Sequence, residues 1–571
     1  MLWILLVLLL AIFHLALPLV LRILVYIFGL GSIARYGSQW LRDYSSGIPP
    51  TFPVITIFII IFSQFLYALM PVVGFDATTY HLPLVTHILE HGTIAWTPYI
   101  FNSAFPKNYE ILQAVNMSTG GDAAASMVSV WFSLGSILLL VAIGNRIGKP
   151  YLGILAGIAL GITPLWFILS QIPNNEVGIA FGILVLILAI VARYPGWIVG
   201  LTIAWIAGCK YYGFEFGLIA LVVWIWQTRP GKKEIWTAVI VGVITGGFWY
   251  LRNIWWFGNP IFPYFNDSLW IFGSPRVFGA QESIWDVYSQ FDQFASPTDL
   301  IGWLTVPFRI MLDPAPNFIE NANTAWKYTG WLAFFWPLAI IPAWKSHRNL
   351  TGPFFLTLIS VLSWPLLHGI IYLRFLTPML PMMYFLSFIV ISMWLAKIKL
   401  QPRQAAAVAT IVSLAAVIHL FGPTTDISLA YLPLTSDERD IYLEGNIVGY
   451  PIIRELNKVD PPPVVYNLYG EASRHYCHFP LYSSWRGPYS FSVLHQHAGS
   501  GTELGEWLEE TGIDVFIFNH KREMESGDDI EDVIFSPEFN EIYPLQIFEY
   551  YEASVFVRKD YDLILYVPDP E

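Results

Sequence analysis

Runs of about twenty apolar residues recur through the first three-quarters of this 571-residue chain, and they settle its class before any motif is read. A helix rises 1.5 Å per residue, so about 20 apolar residues cross the roughly 30 Å of hydrocarbon in a bilayer. About twelve spans are predicted, near 2–28, 53–73, 126–146, 151–170, 176–193, 197–211, 213–228, 235–256, 327–344, 350–372, 375–396 and 404–422. The two either side of Gly213 are short. Only 13% of the residues are charged, against about a quarter in soluble proteins. The expectation is a polytopic α-helical membrane protein.

Basic residues between the spans give the orientation. Arg35 and Arg42 share one loop, Arg146 and Lys149 another, and Arg193 lies in a third. Arg229, Lys232 and Lys233 follow, then Lys345 and Arg348, then Lys397, Lys399 and Arg403. With twelve alternating spans these six loops fall on one side, which is cytoplasmic by the positive-inside rule. Both termini and the long loops 74–125 and 257–326 are then outside. The first loop carries two helical-looking segments, Val85–Gly92 and Glu110–Asn116, expected along the membrane interface.

The charge balance breaks near residue 430. Residues 430–571 hold 26 acids and 9 bases; the first 429 hold 16 acids and 21 bases, so −17 and +5 sum to the net −12. The predicted division is a membrane domain, 1–429, and an acidic extracytoplasmic α/β domain, 430–571. Strands are expected at Val464–Tyr466, Asp514–Phe518 and Phe548–Arg558, with a helix at Glu503–Glu510. No phosphate-binding glycine loop or nucleophile motif marks this domain, so it reads as accessory. Its acidity argues against nucleic acid as a partner. Cys209 and Cys477 are the only cysteines and sit in different predicted domains, which argues against a disulfide framework or a cysteine metal site. Met1–Phe28 lacks a basic leader and cleavage site and is expected as a first membrane helix.

The densest chemistry lies in Gly74-Phe75-Asp76-Ala77-Thr78-Thr79-Tyr80-His81-Leu82-Pro83, immediately after a span. Asp76 emerges at the outer membrane surface, placed to act as a base; the plainer reading is a carboxylate capping the next helix. His81 has three readings: a hydrogen bond within the loop, a metal ligand, or an acceptor contact. No second close histidine or paired-acid motif marks a metal site. Glu110 is a second acid in the same loop. Nucleotide sugars are absent outside the cell, so an activated donor there comes from the membrane as a lipid.

Charges near hydrocarbon cost several kcal/mol unless paired or hydrated, which makes them functional candidates. Glu176 opens a span; Lys210, Arg252 and Arg374 lie near outer span ends, against the positive-inside trend. Arg forks and Lys ammoniums suit phosphate oxygens. The plainer alternatives are ion pairs of Lys210 or Arg374 with Glu176 or Glu215, and snorkelling of Arg252.

The order of these pieces resembles the GT-C superfamily of membrane glycosyltransferases, in the branch of protein O-mannosyltransferases and aminoarabinose transferases. The resemblance runs through Gly74-Phe75-Asp76…Tyr80-His81-Leu82-Pro83, Phe105-Pro106…Glu110 and Gly120-Gly121-Asp122. It continues through Lys210-Tyr211-Tyr212-Gly213, Tyr250-Leu251-Arg252-Asn253…Gly258-Asn259-Pro260…Pro263 and Arg374-Phe375-Leu376-Thr377-Pro378…Pro381. It implies a GT-C-like fold and inverting transfer from a polyprenyl-phosphate sugar to an extracytoplasmic lipid, glycan or protein acceptor. Asp76 is then the base, and Glu176 occupies the place of a second acidic site. Tyr80, His81, Glu110, Lys210, Tyr211, Arg252, Asn253 and Arg374 are the implied substrate-binding residues. Many relatives carry two adjacent acids in the first loop, whereas Ala77 follows Asp76 here. No cofactor follows from the sequence, and a divalent metal is left open. The expected setting is multi-pass in the plasma membrane. The competing readings are a non-enzymatic binder or transporter of polyprenyl lipid or glycan, and a polymerase or ligase of envelope glycans.

Overall fold

The computed structural model describes residues 51–97, 99–264, 301–302, 305, 332, 335–345, 347–367, 373–397, 432–484, 489–520, 530–550, 553–561 and 563. The expected spans 2–28 and 404–422, most of the loop 257–326, the start of span 327–344 and the end of span 350–372 lie outside these residues. So do Arg35, Arg42, Lys399 and Arg403. The chain divides into two compact units, residues 1–70 with 105–432 and residues 71–104 with 433–571.

The first unit is helical because its sequence is apolar on every face. Glu176–Ala192 reads Val, Ile, Leu, Ala and Gly around the whole helix, and most of it is buried. A helix apolar all round belongs in a core or a membrane. Among the described residues, Asn108–Arg146 and Leu373–Trp394 are each long and apolar enough to cross a membrane. The bent pair Lys232–Gly246 and Phe248–Phe257, angled by 51° at a glycine pair, makes a third if counted as one span. Pro53–Tyr67, Pro150–Gly161, Glu176–Ala192 and Gly196–Ala207 are apolar but shorter. The chain is a helical membrane protein.

One expectation holds and one needs correction here. Glu110–Asn116 lies in a helix of its own, because the run Asn108–Arg146 is two helices that meet at a kink where Gly120 and Gly121 leave helical geometry. Gly121 takes φ +65°, ψ −156°, a conformation that only a residue without Cβ adopts readily. The expected span 151–170 is instead two helices, Pro150–Gly161 and Pro164–Leu169. Thr163, ahead of Pro164, is forced to φ −67°, ψ 122° by the proline ring.

The C-terminal part of the second unit is an α/β fold around a five-stranded sheet. Its strands are β1 (Val465–Leu468), β2 (Leu481–Ser483), β3 (Val515–Asn519), β4 (Leu545–Tyr550) and β5 (Ala553–Val557). They lie in the order β2-β1-β3-β5-β4, with β2-β1-β3 parallel and the rest antiparallel. Alternation along each strand sends Tyr466, Leu468, Phe516, Phe518 and Phe556 into one core and Val465, Val515, Ile517, Val555 and Val557 into another. Both faces are covered, so β1 and β3 read as apolar runs. The expected single strand Phe548–Arg558 is two strands, β4 and β5, paired antiparallel. Edge strand β2 has three residues, too few to leave a periodic signal. The helix Gly501–Glu510 starts where Ser500 accepts a hydrogen bond from the Glu503 backbone.

Candidate active site

The candidate residues form two polar groups, one in each unit. In the second unit Asp76 precedes a single wide turn, Ala77–His81, closed by the Leu82 N–H donating to the Ala77 carbonyl. Such i+5 turns are rare and occur mostly at functional sites. The Thr78 hydroxyl ties the turn back to the carbonyls of Gly74 (3.1 Å) and Phe75 (3.3 Å). Helix Leu82–His91 then continues from Pro83 and ends at Gly92.

Asp76 does not act as a helix cap. Capping carboxylates sit on extended backbone, whereas Asp76 has helical angles, φ −60° and ψ −38°, and makes no side-chain cap bond. Its Oδ2 accepts from the Tyr80 hydroxyl at 2.8 Å, one turn along. Asp76, Tyr80 and His81 are all buried, and the Tyr80 and His81 rings meet at 4.2 Å. Tyr80 thereby fixes the rotation of the carboxylate.

In the first unit the candidates converge on Lys210-Tyr211. Lys210 is the extended residue, φ −163° and ψ 157°, that opens the helix Tyr211–Thr228. Its ammonium lies 3.7 Å from Oε1 of Glu176, which is fully buried in the first turn of its own helix. The ion pair foreseen as the plain alternative for Lys210 is therefore present. The same ammonium lies 5.4 Å from the centre of the Phe375 ring, and the Arg374 guanidinium lies 5.3 Å from that ring. Lys210, Glu176 and Arg374 thus form one cluster around Phe375.

Tyr211 starts the second half of the group. Its hydroxyl donates to the Phe262 carbonyl at 2.7 Å and accepts from Asn253 Nδ2 at 2.7 Å. Asn253 Oδ1 accepts from Arg252 Nη2 (2.9 Å) and Nε (3.2 Å), and Nη2 also reaches the Phe105 carbonyl at 3.3 Å. The buried guanidinium lies against the Trp249 and Trp256 rings, at 4.8 and 4.6 Å. Ring faces attract cations while leaving N–H donors to other partners.

Lys107 and Asn108 escaped the sequence reading. Lys107 is buried beside Glu110, and burial pushes its ammonium down to about 7, with the Glu110 carboxylate opposing the fall and Arg252 adding to it. Its signal was present: a lysine in a loop assigned to the face that basic residues avoid. Asn108 anchors the site from below. Its Nδ2 donates to the Ala204 and Trp205 carbonyls, its Oδ1 accepts from Trp249, and its N–H reaches the Gly208 carbonyl at 2.7 Å. Gly208 must be glycine here, because a Cβ would overlap the Asn108 side chain. Nothing in the local sequence of Asn108 announces that long-range role. Among the described residues, no group of three or more His, Cys, Asp or Glu is placed to hold a metal ion.

No family model matches the chain, and no curated protein sequence matches it. Solved structures do. The likeness is one of fold. ArnT from Cupriavidus metallidurans bound to undecaprenyl phosphate is 12% identical, covering 88% of this chain and 97% of its own, with a TM-score of 0.54. The apo state of that protein gives 0.51 at the same identity and coverage. The Archaeoglobus fulgidus oligosaccharyltransferase in its apo form gives 0.49, too loose a likeness to argue from.

Proposed function

We propose that the chain is an inverting glycosyltransferase that moves a sugar from a polyprenyl-phosphate donor to an extracytoplasmic acceptor. The observation that carries this reading is the gathering of Lys210, Arg374 and Arg252 around Phe375 and Tyr211 in an apolar helical unit. Burying basic groups is costly, and an anionic ligand offsets that cost. The structural neighbour ArnT, bound to undecaprenyl phosphate, supports a lipid phosphate as that anion.

In this reading Asp76 takes the proton of the acceptor hydroxyl or amine. The nucleophile attacks the anomeric carbon in one displacement, the bond from that carbon to the phosphate oxygen breaks, and the polyprenyl phosphate leaves with the electron pair. Configuration inverts. Negative charge grows on the leaving phosphate in the transition state, which is where Lys210, Arg252 and Arg374 contribute most. Glu176 orients Lys210, and Tyr80 orients Asp76. His81, Glu110, Tyr211 and Asn253 complete the substrate contacts. The proposed topology keeps about twelve spans across the plasma membrane, with Asp76 and residues 430–571 outside.

The test is sugar transfer in liposomes, using a panel of radiolabelled polyprenyl-phosphate sugars as donors and an envelope extract as acceptor. Transfer by wild type and none by Asp76→Asn, with the lipid retained by both, supports the assignment. Equal transfer by the two makes Asp76 structural and sinks the mechanism.

A further inference from the structure

The second unit contains a connection the proposed chemistry has not used. Arg474 sits in the short helical turn Glu471–Tyr476, far along the chain from Asp76, and its guanidinium is buried. All three of its nitrogens are committed. Nε donates to the Leu481 carbonyl at 3.2 Å and Nη2 to the Ser483 hydroxyl, both on β2. Nη1 donates to the carbonyl of Thr79, inside the Asp76 turn, at 2.9 Å. Two residues on, the Tyr476 hydroxyl donates to the Val72 carbonyl at 2.6 Å, just ahead of the turn. Val73 packs beside it on the cluster of Leu443, Ile447, Tyr450 and Tyr476.

We infer, resting on the reading of Asp76 as base, that Arg474 is a positioning residue for the reaction. It clamps the Ala77–His81 turn to the sheet edge so that Tyr80 holds the Asp76 carboxylate in its working orientation.

One peptide group links the clamp to the carboxylate. The Thr79 carbonyl belongs to the peptide whose nitrogen is that of Tyr80, and Tyr80 carries the hydroxyl bonded to Asp76. A wide turn has poorer internal hydrogen bonding than a regular helix, so an external donor of fixed geometry determines its shape. A guanidinium, planar and with five N–H groups, can hold two β2 acceptors and the turn at once; an ammonium cannot match that fork. Burial pushes Arg474 down only to about 10, with the Glu471 carboxylate opposing the fall, so the clamp stays charged at neutral pH. On this account residues 433–571 build part of the catalytic apparatus.

The experiment measures kcat and KM in the liposome assay with the radiolabelled polyprenyl-phosphate sugar that wild type transfers. The variants are Asp76→Asn, Arg474→Met, Arg474→Lys, Tyr476→Phe and the Asp76→Asn/Arg474→Met double variant, each checked for a wild-type unfolding transition. Misplaced catalytic groups lose roughly ten- to hundredfold in rate. Arg474→Met is therefore expected to lower kcat to that extent with KM little changed, Arg474→Lys to recover part of it, and the double variant to equal Asp76→Asn alone. If Arg474→Met does not fold, Arg474→Lys and Tyr476→Phe carry the test through a smaller kcat loss of the same kind. A folded Arg474→Met with wild-type kcat, or a double variant that loses the product of the two single effects, overturns the inference while leaving Asp76 as base. Wild-type transfer by Asp76→Asn overturns both.

Discussion

The Asp76 turn and the Lys210–Arg252 group both bury ionisable side chains, and they hold them by different means. Asp76 is fixed by a phenol hydroxyl within a turn that a distant guanidinium grips by its backbone. The cations of the helical unit lie on the rings of Phe375, Trp249 and Trp256, with an amide and a carboxylate beside them. Surface Arg454 shows a third way, with carboxylate oxygens of Asp440, Glu444 and Glu455 at 3.5, 2.7 and 3.6 Å. On the proposed reading the difference follows the use of each charge. A base must keep one orientation, and hydrogen bonds are directional. On the proposed reading a phosphate site needs positive charge, and ring faces, each worth about 0.5–2 kcal/mol to a cation, help to hold it there.

The largest expected effect separates the two regions by chemistry. Asp76→Asn should lower the transfer rate by about 10²- to 10⁴-fold, the usual worth of a positioned base, measured as single-turnover transfer in liposomes. Next comes Arg252→Met, expected to weaken retention of polyprenyl phosphate by roughly ten- to hundredfold. A hydrogen bond to a charged group contributes about 1.5–3 kcal/mol, and each 1.4 kcal/mol is tenfold in affinity. Titration of the lipid into nanodisc-held protein reads this directly.

Lys107 gives a smaller effect of definite sign. Its ammonium is held at about 7 in the fold, against 10.5 ordinarily. Between those values the unfolded chain binds the additional proton, so stability should rise with pH through that window. The thermal midpoint in detergent measures the rise, and Lys107→Met should flatten it. Smallest is Thr435→Ala, in the capping box where Thr435 and Glu438 satisfy each other's backbone N–H groups. Losing it should cost about 1 kcal/mol, seen as faster proteolysis around residues 436–446 with lipid retention unchanged.

The cationic group was legible in the sequence because Lys210, Arg252 and Arg374 lie beside apolar runs, on the side where the predicted topology disfavours basic residues. Asp76 was legible as a carboxylate just past an apolar run. Its partner Tyr80 lies four residues on, within reach of local reading. What the sequence hid is long-range. Arg474 lies 395 residues from Thr79, and Asn108 bonds to carbonyls 96 and 97 residues away. No periodicity encodes such pairs. Gly120-Gly121 was legible as a break: the helix that starts at Asn108 ends there, and a second helix runs on to Arg146. Strands β4 and β5 read as one because only two residues separate them in the sequence.

The most direct measurement of the central claim is the affinity of polyprenyl phosphate for Asp76→Asn and Arg252→Met, titrated side by side with wild type in nanodiscs. The account predicts wild-type affinity for Asp76→Asn and a loss of roughly tenfold or more for Arg252→Met. The reverse pattern, with Asp76→Asn losing the lipid and Arg252→Met keeping it, would contradict the division of labour between the two groups.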